Sequence, residues 1–237
     1  MITLITTTAN RPIALDLCYK QMKKQTFKGD INWIISDGSK KVAKVKKSYK
    51  HIRVKHLNNR NTEVGVRNFI KNLICALPHI QDDLVLFIED DEFYAPWYLE
   101  RTVDTLKNFD AVGNIWQPYY NIKKRCYKLF RNENSALCMT GISFKLLPLF
   151  EEICNQSLKD NYMNVDGEFW RQLIIQEYSY FLSEEEFPSI GIKGLPGSTG
   201  LGIGHENTCG FTSDPDLIQF KKWLGPYWKL YKGFLNA

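Results

Sequence analysis

The first 95 residues alternate between two hydrophobic periods, and that alternation leaves few folds open. Residues 2–7 (ITLITT) are β-branched and apolar and stop at Asn10-Arg11-Pro12, which reads as a strand followed by a loop. Ile13, Leu17 and Met22 recur at near-helical spacing over 13–24. INWIISDGS (31–39) predicts a second strand ending in the turn pair Asp37-Gly38. A short basic helix over 40–49, a third strand over 51–57 and an amphipathic helix over 63–77, stopped by Pro78, follow. The apolar run from Leu84 makes a further strand. Strand and helix in strict turn imply a parallel sheet with right-handed crossovers.

Beyond Trp97 the pattern loosens. Residues 97–108 predict a helix, 111–131 strands and a hairpin, 144–153 and 168–178 two more helices. The glycine-rich stretch 191–204 predicts a flexible loop. The tail from Asp216 is aromatic and basic, a helix or a pair of turns. No apolar stretch reaches bilayer length, and MITLITTTANRP lacks the basic start and cleavage site of a secretory signal. Six cysteines without a CxxC pair read as reduced thiols, so a cytoplasmic protein without zinc is expected. The net charge of +5 gathers in two segments, Lys40 to Lys55 and Lys123 to Arg131. They read either as solvated faces or as attraction for a polyanion.

The chemistry concentrates in residues 84–94, LVLFIEDDEFY, where an apolar strand runs into Glu89, Asp90 and Asp91. Carboxylates this close repel unless water, a cation or a basic partner neutralises them. Open α/β sheets collect ligands at the carboxyl ends of their strands, and a divalent metal is a natural partner there. The competing reading is a solvated acidic turn. The glycine run matches neither the dinucleotide fingerprint nor a phosphate loop.

Five segments in order, TTTANRP, IISDGSK, GVRNFIKNLI, FIEDDEF and TGISFKLLPLF with NVDGEFWRQL, resemble the family-two glycosyltransferases, which share the GT-A fold. The resemblance covers residues 1 to about 180. It implies a mostly parallel Rossmann-like sheet flanked by helices, in one domain over 1–237. Residues 1–95 would bind a nucleotide-diphosphate sugar, most simply a UDP-sugar, and residues 96–237 the acceptor. Thr8, Arg11, Asp37 and Arg67 fall on nucleotide-sugar positions, with Arg67 near the diphosphate. Asp90 meets the ribose or a metal-bound water, Asp91 holds Mn²⁺ or Mg²⁺ with His205, and Glu89 steadies the turn. Asp166 falls on the general-base position and Glu168 competes for it; both acids could instead cap the helix that follows. Trp116, Tyr119, Tyr120 and Trp170 are candidates for an acceptor platform, Trp170 also for the core. The tail aromatics pack over the domain or meet a membrane interface. Ala9, Ser36 and Val165 depart from the family pattern.

The reading is an inverting, metal-dependent transfer of a sugar to a hydroxyl. The acceptor is a glycan or a hydroxymethylated pyrimidine in DNA, as in some phage genomes. A non-catalytic nucleotide- or sugar-binding module and a nucleotidyltransferase are the alternatives.

Overall fold

The predicted alternation gives six elements in the first half: β1 (Ile2–Thr8), α1 (Pro12–Met22), β2 (Ile31–Asp37), β3 (Ile52–Asn58), α2 (Gly65–Ala76) and β4 (Leu84–Phe87). The structure is a computed structural model that describes all residues except 41–46, 60–62, 162–163, 186, 197–202 and 236–237. The second half adds β5 (Glu92–Tyr94), α3 (Tyr98–Thr105), β6 (Ala111–Asn114), β7 (Trp116–Asn121), β8 (Cys126–Arg131), β9 (Gly141–Ser143), α4 (Leu147–Asp160), α5 (Val165–Ile175), β10 (Tyr180–Ser183), β11 (Ser189–Lys193), β12 (Thr212–Ser213) and α6 (Ile218–Leu224).

Among the described residues the main sheet has the order β3-β2-β1-β4-β9-β6-β10. Its strands run parallel except β9, which is antiparallel to β4 and β6. Both faces of the central strands β1, β2 and β4 are covered, which is why these strands read as continuous apolar runs. Alternate residues go to opposite faces. Ile5, Ile34, Val85 and Phe87 pack with Ile70, Leu73, Phe150 and Phe169 from α2, α4 and α5. Leu4, Trp33, Ile35 and Leu86 pack with Leu15, Cys18, Tyr98 and Leu99 from α1 and α3. In register, Thr8 pairs with Asp37 and Asp37 with Asn58, so three strands end along one edge.

A second sheet, β12-β8-β7-β11-β5, lies beyond that edge. Its core takes in Tyr120, Ile190 and Ile192 together with Phe220, Leu224 and Tyr231 of the tail. The tail therefore packs over the domain, as α6 and a 3-10 segment Gly225–Phe234, with Gln21 donating to Tyr231 Oη at 2.9 Å. No described helix is long and apolar enough to cross a membrane. All six cysteines are free.

Three expectations change. The predicted helix over 168–178 begins three residues earlier, at Val165, because Asn164 caps it by accepting from Gly167 N at 3.0 Å. The one over 144–153 is a 3-10 turn, Phe144–Leu146, leading into α4, which runs to Asp160. The loop expected over 191–204 is strand at its start: residues 191–193 belong to β11, between β7 and β5. Residues 197–202 of that loop and 41–46 of the basic helix lie outside the described residues.

Candidate active site

The acid cluster is built by keeping β4 beside β1 one residue longer than its strand. Ile88 N donates to Ile5 O at 2.8 Å, and the chain then turns through Glu89, Asp90 and Asp91 into β5. Tyr94 holds that turn from below: Glu89 N donates to Tyr94 Oη at 2.8 Å, and Tyr94 Oη donates to Cys138 O at 3.1 Å. Ile192 N donates to Asp91 O at 2.8 Å, which sets β11 against the turn. Asp90, Asp91 and Glu92 are consequently buried.

Buried carboxylates need partners, and here they are a hydroxyl and basic side chains. Thr8 Oγ1 donates to Asp90 Oδ2 at 2.6 Å. Arg11 Nη1 lies 3.0 Å from Asp90 Oδ1 and 3.3 Å from Asp91 Oδ2. Lys193 Nζ lies 3.2 Å from Asp91 Oδ2 and 3.0 Å from Glu92 Oε1. His205 Nε2 is 3.5 Å from Asp91 Oδ2, and its buried Nδ1 has no partner among the described residues.

Electrostatics follow the geometry. Burial would raise Asp91, but Lys193, Arg11 and His205 outweigh it and hold the carboxyl well below the usual range. Burial, then the charges of Asp91 and Glu92, push Glu89 up to about 8. Burial pushes Glu92 up to about 7 against the pull of Lys193. Lys193 is itself raised by Asp91 and Glu92 against the opposing effect of its burial.

His205 beside Asp91 is the placement a shared metal ion would need. Lys193 and Arg11 oppose it. A hard divalent ion sits about 2.0–2.6 Å from a carboxylate oxygen. On Asp91 Oδ2 it would therefore lie within about 6 Å of both protein cations. Another grouping, Glu89, Glu92 and Cys138, has ligand atoms within 4.8 Å of one another. Burial, with both glutamates, raises the Cys138 thiol well above its ordinary value, which disfavours the thiolate a metal requires. As they stand, these residues do not fit the expected Mn²⁺ or Mg²⁺.

The remaining predicted residues divide. Asp37 is buried at the end of β2; its Oδ1 accepts from Ser39 N at 2.9 Å and its Oδ2 lies 3.3 Å from His56 Nε2. Asp166 stands in the first turn of α5, half-buried and raised by burial, with Gly167 N and Leu137 N donating to it. Asp166 accepts from Leu137 N, and the next residue, Cys138, accepts from the Tyr94 hydroxyl that also holds Glu89 N, so the start of α5 lies on the side of the acid cluster. Glu168 instead pairs with Arg171 at 2.6 Å and accepts from Gln172 at 2.9 Å. Arg67 is held by Glu63 and by Leu158 O at 3.1 Å, and none of its described bonds reaches the acids. Trp170 is only 3% exposed and packs edge-on against Phe169 and Tyr180, so its ring is core. Trp116 is half-buried, donates to Glu184 O at 3.0 Å and carries Arg131 over its ring.

Lys193, Glu92, Tyr94 and His56 were missed from the sequence. The one signal for Lys193 was SIGIK, a strand-length run between Pro188 and Gly194, hidden by the glycines that follow.

No curated protein matches the chain. TarS of S. aureus superposes with a TM-score of 0.50 at 12% identity, covering 81% of this chain and 36% of TarS. The mannosyltransferase PcManGT of Pyrobaculum calidifontis, solved with GDP-Man and Mn²⁺, gives 0.51 at 11% identity, covering 82% of this chain and 57% of its own. The chain thus spans roughly a third to just over half the length of these structures, and the likeness is one of fold, the GT-A type. The family model for glycosyl transferase family 2 matches residues 3–170, most of the chain. The chain belongs to glycosyl transferase family 2.

Proposed function

We propose that the chain moves a sugar from a nucleotide-diphosphate donor to an acceptor hydroxyl, with inversion at the sugar carbon. The observation that carries this reading is the gathering of Thr8, Arg11, Asp90 and Asp91 at one sheet edge with Asp166 on the same side. Negative charge builds on the departing diphosphate, and positioned cations stabilise it. Arg11, 22% exposed at its side chain, is the cation facing outward. Asp37, at the end of β2, and Asp90, in the turn after β4, are the candidates for the base and ribose. A divalent ion, the expectation from family resemblance and from the Mn²⁺ of the mannosyltransferase, would supply Lewis-acid charge at Asp91 and His205. The Lys193 and Arg11 pairs with Asp91 stand against it.

Asp166 is the proposed general base. A half-buried carboxyl raised by burial is a stronger proton acceptor than an exposed one. Glu168, tied to Arg171, is held lower and is the weaker candidate. A single carboxylate base and no separate nucleophile give single displacement, hence inversion.

A glycan hydroxyl is the preferred acceptor over hydroxymethylated DNA. In the second basic segment three side chains are engaged within the protein: Lys124 donates to Glu206 O, Arg125 donates to Leu235 O, and Arg131 pairs with Glu184. Donor is a UDP-sugar or another nucleotide sugar; GDP-Man in the mannosyltransferase supports the class.

The test combines a thermal-shift panel of nucleotide sugars with release of nucleoside diphosphate in the presence of glycan acceptors. Asp166→Asn should lower turnover by roughly 10²- to 10⁴-fold while leaving donor stabilisation in place. Unchanged turnover in that variant removes Asp166 as the base. Donor stabilisation without turnover in the parent protein would favour the non-catalytic module.

A further inference from the structure

We infer that Lys193 is the resident counter-cation of the acid cluster, standing where a divalent ion would stand, so that the donor diphosphate is bound without metal. This rests on the donor reading above and concerns how that same site handles charge.

Lys193 is placed too firmly to be incidental. It is 5% exposed and sits at the end of β11, a strand paired with β7 on one side and β5 on the other. The backbone there is tied to both neighbouring segments: Ile192 N donates to Asp91 O at 2.8 Å, and Ile122 N donates to the O of Lys193 itself at 2.9 Å. The ammonium reaches Asp91 at 3.2 Å and Glu92 at 3.0 Å, and lies 4.8 Å from the centre of the Tyr119 ring. Burying a lysine is costly unless it is paired, and both partners here belong to the acidic run.

Arg11 completes the arrangement from the solvent side. One nitrogen, Nη1, serves both Asp90 and Asp91. A guanidinium carries five donors in a planar fork, and no described bond uses Nε or Nη2. Those donors suit the paired oxygens of a phosphate. The division of labour is then clear. Lys193 neutralises the acids from behind, and Arg11 meets the diphosphate in front.

The experiment uses the whole chain, stripped with EDTA, and follows melting temperature with UDP or GDP as probes. In the parent protein a nucleoside diphosphate raises the melting temperature equally with EDTA and with Mn²⁺, the affinity changing less than about twofold. Mn²⁺ alone leaves it unmoved. Lys193→Met strips the acids of their counter-cation, so Mn²⁺ alone should now stabilise the protein. Lys193→Arg keeps the charge and should stay insensitive to Mn²⁺. Where Lys193→Met does not fold, the parent and Lys193→Arg arms decide. Nucleotide binding that EDTA abolishes and Mn²⁺ restores in the parent overturns the inference and leaves the donor reading intact. No shift with any nucleoside diphosphate, with or without Mn²⁺, overturns the donor reading and the inference with it.

Discussion

Glu89→Gln tests whether the acid cluster is as crowded as its geometry implies. In the folded protein Glu89 keeps its proton until about pH 8, against an ordinary value of 4.5. Below pH 4.5 folded and unfolded chains are both protonated there, and Glu89 contributes no difference. As pH rises above 4.5 the unfolded chain releases the proton and the folded one does not, so stability falls with rising pH. The loss continues until the folded group titrates near pH 8. One group contributes at most about 1.4 kcal/mol per pH unit, or about 4 kcal/mol between pH 5 and pH 8. Glu89 is half-buried and keeps some solvent, which discounts this to about 1–3 kcal/mol. Glu92, raised to about 7, acts with the same sign, while Asp91, held low, matters only below pH 4. Glutamine has the same shape and no proton to lose. Relative to the parent, the variant should gain that 1–3 kcal/mol across the window. Urea denaturation at pH 5, 6, 7 and 8, followed by tryptophan fluorescence, measures the difference. Parent and variant stabilities that stay parallel across this range would refute the account.

Two further changes probe how the site is framed. Gly38→Ala should destabilise by about 1–3 kcal/mol, because a Cβ there overlaps Asn68 Oδ1 and lies 2.8 Å from Asn72 Nδ2. Those asparagines tie α2 to the strand ends, through Gly38 O at 3.2 Å and Thr8 O at 3.2 Å; an unchanged urea midpoint would mean that α2 gives way freely. Asn121→Ala should cost about 1–3 kcal/mol, since its Nδ2 donates to Gly204 O at 2.7 Å and His205 O at 2.8 Å. Equilibrium denaturation reads that loss, and a variant as stable as the parent shows that the segment around His205 is held by something else.

The first half of the fold was legible because its signals are local. A β-branched run, a turn pair and a 3.6-residue stripe each declare themselves within about a dozen residues. Register then carries Thr8, Asp37 and the 89–91 turn to one edge without further information. The second half depends on pairings that no local pattern announces. β9 enters the main sheet antiparallel between β4 and β6 with only three residues. β11 looked like the start of a loop because glycine is common in it and after it, although it lies in the middle of a sheet. Trp170 resembled an acceptor platform beside an acid and is core, because its ring packs edge-on between Phe169 and Tyr180, a contact that no local pattern announces.

The acidic turn shows most clearly where local reasoning stops. Close carboxylates require compensation, and three compensators satisfy the requirement equally on paper: water, a bound ion, or a basic side chain. Choosing among them needs the third dimension. Burial of Asp90, Asp91 and Glu92 removes bulk water as the main answer. Lys193, 102 positions from Asp91 in sequence, and Arg11, 79 from Asp90, supply the charge instead. Each arrives on a separate piece of backbone, one the loop after β1 and the other the end of β11. A turn whose acids are paired with Lys193 of the second sheet couples the edge of one sheet to the other, so removing that lysine must loosen both the charge balance and the join between the sheets. Metal binding in Lys193→Met without any loss of stability in the absence of metal would break that link, because it would show the lysine to be a counter-charge that holds nothing together.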